Sequence, residues 1–272
     1  MKKFFAIILA ALMLLTFASC KKIEEEEGNN QVTLENDAEI YEDAETGDIF
    51  TYAVNELGTY EIVDFESKKN EPHKVEVPAD IENIEVTGIA ADAFKVKNNV
   101  SEVVIPDSIL YIGDYAFFGC SYLKKVVMSD SVETLGIGAF DSCVALESVT
   151  LSAKIKVIPE FAFRDCAALA AVTFSASVEE IGAAAFRDCV AIKELVIPDS
   201  VKVIGDCAFY GCTALEKATL PEEIESCGKF VFTAGKEDFK MVSGAESWAK
   251  AYAEEYGHIF EVAGGESEAT TA

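Results

Sequence analysis

Apolar residues recur along this chain with a period of 23 residues. One phenylalanine marks each period: Phe94, Phe117, Phe140, Phe163, Phe186, Phe209 and Phe232. A unit of this length cannot bury its own apolar side, but identical units stacked coil on coil give each apolar position the same neighbour above and below. The pattern therefore predicts a repeat solenoid.

Within each unit, the spacing of the apolar residues predicts one short strand. In the second unit, Leu123, Val126 and Met128 have the alternation of a strand that buries one face. Gly, Pro or Asp-Ser pairs between such segments predict turns. Strands of successive units would form a parallel sheet with a spacing of roughly 4.8 Å. We therefore expect a mostly β solenoid with a stacked parallel sheet.

Both ends of a solenoid need covers, because an open end exposes strand edges and apolar side chains. Residues 49–54 and 60–65 alternate like two strands around a turn at 55–58, which predicts an N-terminal β-hairpin cap. At the other end, Ser243 and Glu246 have the spacing of a helix capping box. This spacing predicts a C-terminal helical cap.

The predicted C-terminal helix carries aromatic residues on one face. They are Trp248, Tyr252 and Tyr256. Gly257 can end this helix. We interpret the aromatic stripe as a lid on the last coil; a platform for a ligand is the alternative.

The N-terminus has the pattern of an export signal. Lys2 and Lys3 precede an apolar run, residues 4–17, which is shorter than the roughly 20 residues that span a membrane. Small residues then precede Cys20, which resembles the lipobox of bacterial lipoproteins. The resemblance implies cleavage before Cys20 and a membrane anchor made of lipid on that cysteine. An ordinary signal peptide is the alternative.

The charge of the chain excludes one class of partner. The chain has 22 Lys and Arg against 48 Asp and Glu, a net charge of -26, whereas nucleic acids are bound by clustered cations. We expect no nucleic-acid partner. Residues 23–67 contain no Lys or Arg, and a run of like charges repels itself and extends. We interpret residues 20–48 as an acidic, disordered tether; calcium binding is a weaker alternative, because the ligand spacing of an EF-hand is absent.

Two repeat segments resemble a known family. Residues 181–189, IGAAAFRDC, and residues 195–205, LVIPDSVKVIG, are similar to the BspA-type leucine-rich repeat of bacterial surface proteins. The similarity covers residues 75–232 repeat by repeat. It implies a leucine-rich-repeat-like solenoid. It also implies a role in adhesion or protein binding, because relatives have been linked to attachment to host matrix proteins and to other cells.

These interpretations together give the predicted domain organisation. It comprises a lipoprotein signal peptide (1–19), the lipidated Cys20 with its tether (20–48), an N-terminal cap and irregular first coil (49–93), the solenoid (94–237), a C-terminal cap (238–262) and a flexible tail (263–272). We expect the chain to be exported and anchored by lipid at the bacterial cell envelope.

Five cysteines share one position of the repeat: Cys120, Cys143, Cys166, Cys189 and Cys212. Because each is equivalent to the next, we predict buried free thiols rather than disulfides. A line of evenly spaced sulfurs does not converge on a metal ion. Cys207 and Cys227 lie outside this ladder and either remain free or pair.

Candidate catalytic residues are few. His73 and His258 are the only histidines, and both lie outside the regular repeats. Acidic residues such as Asp114, Asp165 and Asp188 fall in turns, where capping and solvation explain them. No phosphate loop, zinc-protease or serine-hydrolase motif occurs. We expect no enzymatic activity, no cofactor and no metal.

The exposed positions of the strands are the candidate protein-binding face. One column is mildly apolar: Val104, Val127, Thr150, Thr173, Val196 and Thr219. The neighbouring column mixes charges: Glu102, Lys125, Ser148, Ala171, Glu194 and Lys217. Neither contains Trp, Tyr or Arg, the usual energetic anchors of interfaces. We expect a protein ligand here, such as a host matrix or cell-surface protein; a structural spacer or coat component without a ligand is the alternative.

Overall fold

The computed structural model describes residues 38–232 and 238–264. These residues form a mostly β solenoid with a helix, α1 (Trp248–Tyr256), near the C-terminal end. This architecture confirms the predicted fold class. The signal peptide, Cys20, the tether as far as residue 37 and the tail from residue 265 lie outside the described residues.

Short strands account for most of the regular structure. In chain order they are β1 (Glu39–Glu42), β2 (Asp48–Val54), β3 (Tyr60–Ser67), β4 (His73–Glu76), β5 (Asp80–Ile81), β6 (Ile84–Ile89), β7 (Val100–Val104), β8 (Tyr111–Ile112), β9 (Lys125–Val127), β10 (Thr134–Leu135), β11 (Ser148–Thr150), β12 (Val157–Ile158), β13 (Ala171–Thr173), β14 (Glu180–Ile181), β15 (Glu194–Val196), β16 (Val203–Ile204), β17 (Lys217–Thr219), β18 (Ser226–Cys227), β19 (Lys240–Ser243) and β20 (Ile259–Val262).

The predicted parallel ladder forms one side of the solenoid. Its first segment has the order β13-β11-β9-β7-β4, and its second the order β15-β17-β19-β20. Strands of successive coils pair one period apart, so that Val103 lies opposite Val126 and Leu195 opposite Ala218. Because side chains alternate along a strand, these residues point inward and the residues on either side of them point outward.

A second parallel ladder, which the sequence analysis did not predict, precedes the repeated glycine. It contains β6, β8 and β10 in one segment and β12, β14, β16 and β18 in another. The glycine after these strands packs against the preceding coil. A Cβ on Gly205 would lie 2.4 Å from the backbone nitrogen of Ala183, and one on Gly182 would lie 2.6 Å from that of Glu160. The coils can approach this closely only because the residue has no side chain.

Pro159 stands where the neighbouring coils have this glycine, and the second ladder is interrupted there. Within the described residues, β10 and β12 are not paired. Elsewhere the glycine amide donates to the preceding coil, as from Gly136 to the carbonyl of Ile112 and from Gly182 to that of Ile158, both at 2.7 Å. Proline has no amide hydrogen to donate, so this inter-coil bond is lost.

A third side, which we call the corner, consists of residues 92–96, 115–119, 138–142, 161–165, 184–188, 207–211 and 230–232. The first and fifth residues of each full segment have positive φ, between 51° and 79°. Amides of alternate residues donate to the next coil; Phe117 donates to Ala139 and Phe140 to Ala162, both at 2.8 Å. These peptide groups therefore all direct their N–H toward the C-terminal end of the solenoid.

The repeated phenylalanines form a continuous stack inside the solenoid. From Phe94 to Phe232, neighbouring ring centroids are 4.8–5.4 Å apart and the rings are within 19° of parallel. Phe65 in β3 extends the stack, 4.9 Å from Phe94, although it lies outside the 23-residue register. Such aromatic pairs contribute about 0.5–1.5 kcal/mol each beyond the area they bury.

The N-terminal cap contains the predicted hairpin, β2 and β3, and one strand more. Strand β1 pairs with β2 in antiparallel fashion, so the prediction of a tether up to residue 48 is wrong for its last part. Tyr41 packs against Phe50 at 6.3 Å, and the Tyr52 hydroxyl donates to Glu39 at 2.9 Å. Burial of aromatic surface and backbone pairing here outweigh the repulsion between acidic side chains.

The C-terminal cap is the predicted helix. The ring of Tyr252 meets Phe232 edge-on at 6.1 Å, and its hydroxyl accepts a hydrogen bond from the Phe232 amide at 3.2 Å. Gly257 ends the helix with a φ of 75°. The predicted capping box is wrong: Ser243 ends β19 and donates to the carbonyl of Pro221 at 3.2 Å, and the helix begins after Ser247. The aromatic stripe covers the last coil.

Candidate functional site

All twelve residues of the predicted binding face point away from the core. Glu102, Val104 and Thr219 are half-buried, and the other nine are exposed. The structure therefore brings both predicted columns onto one surface, which we call the strand face. The ladder beneath it is interrupted between β13 and β15, so the strand face has two halves.

The charged column of the strand face contains one ion pair between its own members. Lys125 Nζ lies 3.2 Å from Glu102 Oε1, and Glu102 pairs in register with Lys74 on its other side. In the second half, Lys217 stands between Glu194 and Lys240, and Lys240 Nζ contacts Glu261 at 2.6 Å. These exposed pairs contribute little to stability.

The apolar column presents β-branched side chains in a regular row. Val127 is 38% exposed and Val196 is 65% exposed, and Thr150 and Thr173 stand between them. Valine and threonine keep one side-chain rotamer on a strand more readily than unbranched residues do. A partner therefore meets a surface with little side-chain entropy to lose on binding.

An open depression of about 530 Å³ borders the charged column. It is lined by Pro72, Ser101, Glu102, Tyr122, Lys124, Lys125, Glu147 and Ser148. Sequence reasoning missed Tyr122, which is 53% exposed. The equivalent position in the next four coils is alanine. This contrast between one tyrosine and four alanines is the feature of the sequence that could have identified Tyr122.

The five cysteines of the ladder are buried and free, as predicted. Each thiol donates to the carbonyl of the phenylalanine one coil earlier, at 2.9–3.3 Å. Burial raises the pKa of Cys120 and Cys212 to about 12. Cys207 and Cys227 are also free thiols, so the alternative in which they pair is not found.

A serine, a histidine and a carboxylate meet in the N-terminal cap. His73 Nε2 lies 2.8 Å from Asp48 Oδ1, and the Ser67 hydroxyl donates to the same oxygen at 2.6 Å. His73 Nδ1 faces the carbonyl of Glu71 at 3.1 Å. In a hydrolase the serine donates to the histidine and the carboxylate holds the other ring nitrogen. Here the buried Asp48 in β2 instead contacts Ser67 in β3 and His73 in β4, and so connects the three strands.

The acidic turn residues have structural partners. Asp114 accepts the amide of Ile137 at 2.7 Å, and Asp206 accepts that of Lys229 at 2.6 Å. Asp188 contacts Arg187 at 3.1 Å, and Asp165 lies 3.7 Å from Arg164. Within residues 38–232 and 238–264, no group of three or more His, Cys, Asp or Glu residues is arranged to hold a metal ion.

The predicted anchor is not part of the described structure. Cys20 and the residues before it lie outside the described ranges. Among the residues that are described, no helix has both the length and the apolar character needed to cross a bilayer.

Comparison with solved structures gives bacterial leucine-rich repeat proteins. A leucine rich cell surface protein from Faecalibacterium prausnitzii A2-165 is 26% identical with a TM-score of 0.65, over 77% of this chain and 55% of that protein. This chain thus spans just over half of that protein's length. The T. pallidum leucine rich repeat protein (24% identity, TM-score 0.51, 78% and 95% coverage) and a leucine-rich repeat protein from Eubacterium ventriosum (23%, 0.55, 64% and 46%) share the fold.

Comparison with protein families identifies the family as well as the fold. No curated protein matches the chain. The model of the BspA type leucine rich repeat region matches in six copies, over residues 87–202 and 179–236, which is more than half of the sequence. The matched residues contain the seven repeated phenylalanines, the thiol ladder and all twelve residues of the strand face. The chain therefore belongs to the BspA-type leucine-rich repeat family.

Proposed function

We propose that this chain is a lipid-anchored protein of the bacterial cell surface that binds a protein partner through the strand face. The observation that carries the proposal is the row of exposed valine and threonine side chains on the two segments of the parallel ladder. The predicted export signal before Cys20 supports the location. The similarity to a cell surface protein of F. prausnitzii supports it as well.

A structural spacer or surface-coat component is the second candidate. It is favoured by the charged column, where Lys125 and Glu102 satisfy each other within the protein, and by the lack of Trp, Tyr or Arg in either column. Such a component needs the solenoid and the anchor but no specific ligand. We propose no catalytic role, since Ser67, His73 and Asp48 lack the connectivity of a hydrolase site.

A binding screen separates these two candidates. The full chain is tested against purified matrix and cell-surface proteins, beside a variant with Val127→Lys, Thr150→Lys and Thr173→Lys. A control with Thr134→Lys, Val157→Lys and Ser226→Lys adds the same charge to exposed positions of the second ladder. Loss of a ligand in the first variant alone supports the strand face. A screen without ligands supports the spacer, and equal binding of a ligand by all three proteins would exclude the strand face as its binding surface.

The anchor has its own test. Mass spectrometry of the protein from bacterial membranes is compared for the native chain and Cys20→Ala. The proposal predicts that the native chain begins at Cys20 and carries the mass of acyl chains, and that Cys20→Ala leaves the membrane fraction. Export of both as equally soluble, unmodified proteins would exclude a lipoprotein without affecting the strand-face proposal.

A further inference from the structure

Tyr122 differs from the other exposed aromatic residues that the structure describes, which are Tyr210 and Phe230. The Arg187 guanidinium lies 5.3 Å from the ring centre of Tyr210, and the ring of Tyr256 meets Phe230 edge-on at 5.9 Å. Within residues 38–232 and 238–264, the ring of Tyr122 contacts neither another ring nor a cation, and its hydroxyl has no hydrogen-bond partner. Its ring is therefore available to a ligand.

The turn that carries Tyr122 is attached to the preceding coil on both sides. The Ser121 hydroxyl and amide donate to Asn98 Oδ1, at 2.6 and 3.2 Å. On the other side, the Lys124 amide donates to the carbonyl of Ser101 at 2.8 Å. Because the backbone that carries the ring is fixed before a ligand arrives, binding has less conformational entropy to remove.

The ring borders the open depression of about 530 Å³ beside the charged column. Glu147 and Ser148 of the next coil line the depression as well, and in that coil Ala145 stands where a second tyrosine would be equivalent. A methyl side chain leaves the space beside the ring open. Ligand sites commonly measure about 300–1,000 Å³, so the depression has room for a small ligand or for one end of a longer one.

The lining of the depression has no net charge. Its ionisable side chains are two lysines and two glutamates: Glu102, Lys124, Lys125 and Glu147. Lys125 and Glu102 form the ion pair of 3.2 Å, whereas Lys124 and Glu147 are exposed and have no ion-pair partner among the described residues. These groups and the two serine hydroxyls of the lining include both donors and acceptors of hydrogen bonds. The lining therefore favours a neutral ligand that both donates and accepts.

A sugar ring has the chemistry that these features select. One face of a pyranose presents C–H groups, which pack on the negative face of an aromatic ring, and its rim presents hydroxyl groups, which donate and accept. We propose that the depression binds a neutral oligosaccharide, with one sugar ring stacked on Tyr122 and its hydroxyl groups bonded to Ser101, Ser148 and Glu147. The site borders the strand face, but it requires neither a protein partner nor the apolar column.

The test measures binding of the purified full chain to immobilised neutral oligosaccharides of hexoses and N-acetylhexosamines, with sulfated oligosaccharides as charged comparators. Tyr122→Ala removes the ring and should weaken binding about tenfold, whereas Tyr122→Phe keeps the ring and should retain most of it. Because alanine occupies the equivalent position in the next four coils, the alanine variant should fold, and thermal melting checks this. The matched control is Tyr210→Ala, which removes an exposed tyrosine already covered by Arg187 and should bind as the native chain does.

Saturation-transfer NMR identifies the contact itself. In the complex with the native chain, the C–H protons of one sugar face should receive the strongest saturation, and this signal should disappear with Tyr122→Ala but persist with Tyr122→Phe. The proposal is wrong if no neutral oligosaccharide binds at millimolar concentration, if Tyr122→Ala binds as the native chain does, or if Tyr122→Phe loses as much as Tyr122→Ala. Tighter binding of the sulfated comparators would assign the attraction to the lysines and would also overturn it. None of these results would affect the strand-face proposal, whose test uses other variants.

Discussion

The thiol of Cys166 donates a hydrogen bond to the carbonyl oxygen of Phe140, 3.2 Å away in the preceding coil. This bond recurs at all five ladder cysteines, so the repeated cysteine serves as both a small apolar residue and a donor to a buried carbonyl. Burial raises the pKa of the Cys166 thiol well above its usual range. The reactive thiolate is therefore scarce in the folded protein.

Thiol labelling should follow exposure. We expect iodoacetamide at about pH 8 to modify Cys207, which is partly exposed, while the five ladder cysteines react only after unfolding. Peptide mass spectrometry after a short pulse, with and without urea, measures the order. Modification of Cys143 or Cys166 in the native protein before Cys207 would contradict the buried ladder.

Stability should fall in alkaline solution. Below the ordinary thiol pKa of about 9, the folded and unfolded chains both hold the ladder protons, so these groups have no effect. Above it the unfolded chain releases protons that the folded chain retains, because its thiol pKa values are raised. The free energy of unfolding should then fall by about 1.4 kcal/mol per pH unit for each thiol, until the folded pKa is reached.

Urea unfolding between about pH 8 and pH 11, under reducing conditions, measures this slope. The matched variant Cys143→Ala, Cys166→Ala lacks two of the five thiols, so its stability should fall less steeply. An identical slope in both proteins would assign the alkaline loss to other groups, such as Tyr111 and Tyr252, whose pKa values burial raises to about 12.

Arg164 should matter far more than Arg187, although the two occupy the same position in successive coils. Arg164 neutralises Asp141, whose side chain is fully buried, and Arg164→Ala would leave that carboxylate without its cation. We expect a loss of about 3–5 kcal/mol in the free energy of unfolding. Arg187→Ala removes a pair that is exposed on both sides and should cost less than about 1 kcal/mol.

A double-mutant cycle checks the cause. Asp141→Ala combined with Arg164→Ala should lose much less than the sum of the single changes, because neither charge is then left unpaired. Additive losses would show that each side chain acts through packing alone.

The glycine of the second ladder should not tolerate a methyl group. Gly205→Ala places a Cβ 2.4 Å from the backbone nitrogen of Ala183, so the coils must separate, at a cost of about 1–3 kcal/mol. The matched control is Pro159→Ala, at a repeat where a side chain already stands in this position; it should change stability by less than about 1 kcal/mol. Chemical denaturation measures both. Similar effects of the two changes would contradict a steric role for the glycine.

The regular part of the molecule could be predicted because each coil repeats the same apolar side chains. Phe117 and its equivalents had to stack, and Cys143 and its equivalents had to be buried, once the period was known. Deviations from the period were harder to interpret. Phe65 joins the ring stack from the cap at a different spacing, and Pro159 interrupts a ladder whose existence depends on a close approach between backbones.

The segment before the hairpin shows another limit. Its acidic residues favour an extended, solvated chain, but Tyr41 and Glu39 find partners in β2, and local charge does not reveal such distant partners. The strand face follows from the alternation of side chains, whereas the corner depends on two left-handed residues in each coil. Side chains such as Phe161 and Cys207 disfavour that conformation, so the local sequence does not reveal it.

The aligned amides of the corner also give the solenoid a chemical direction. At the C-terminal end, the last N–H groups require an acceptor, and Tyr252 provides one for Phe232; at the other end the same column terminates in carbonyl oxygens, which require donors. The two ends of the corner therefore differ chemically, since one presents N–H groups and the other presents carbonyl oxygens. A cap that supplies acceptors to one end cannot cover the other. Copies joined end to end would have to associate head to tail, which favours an open filament over a closed pair.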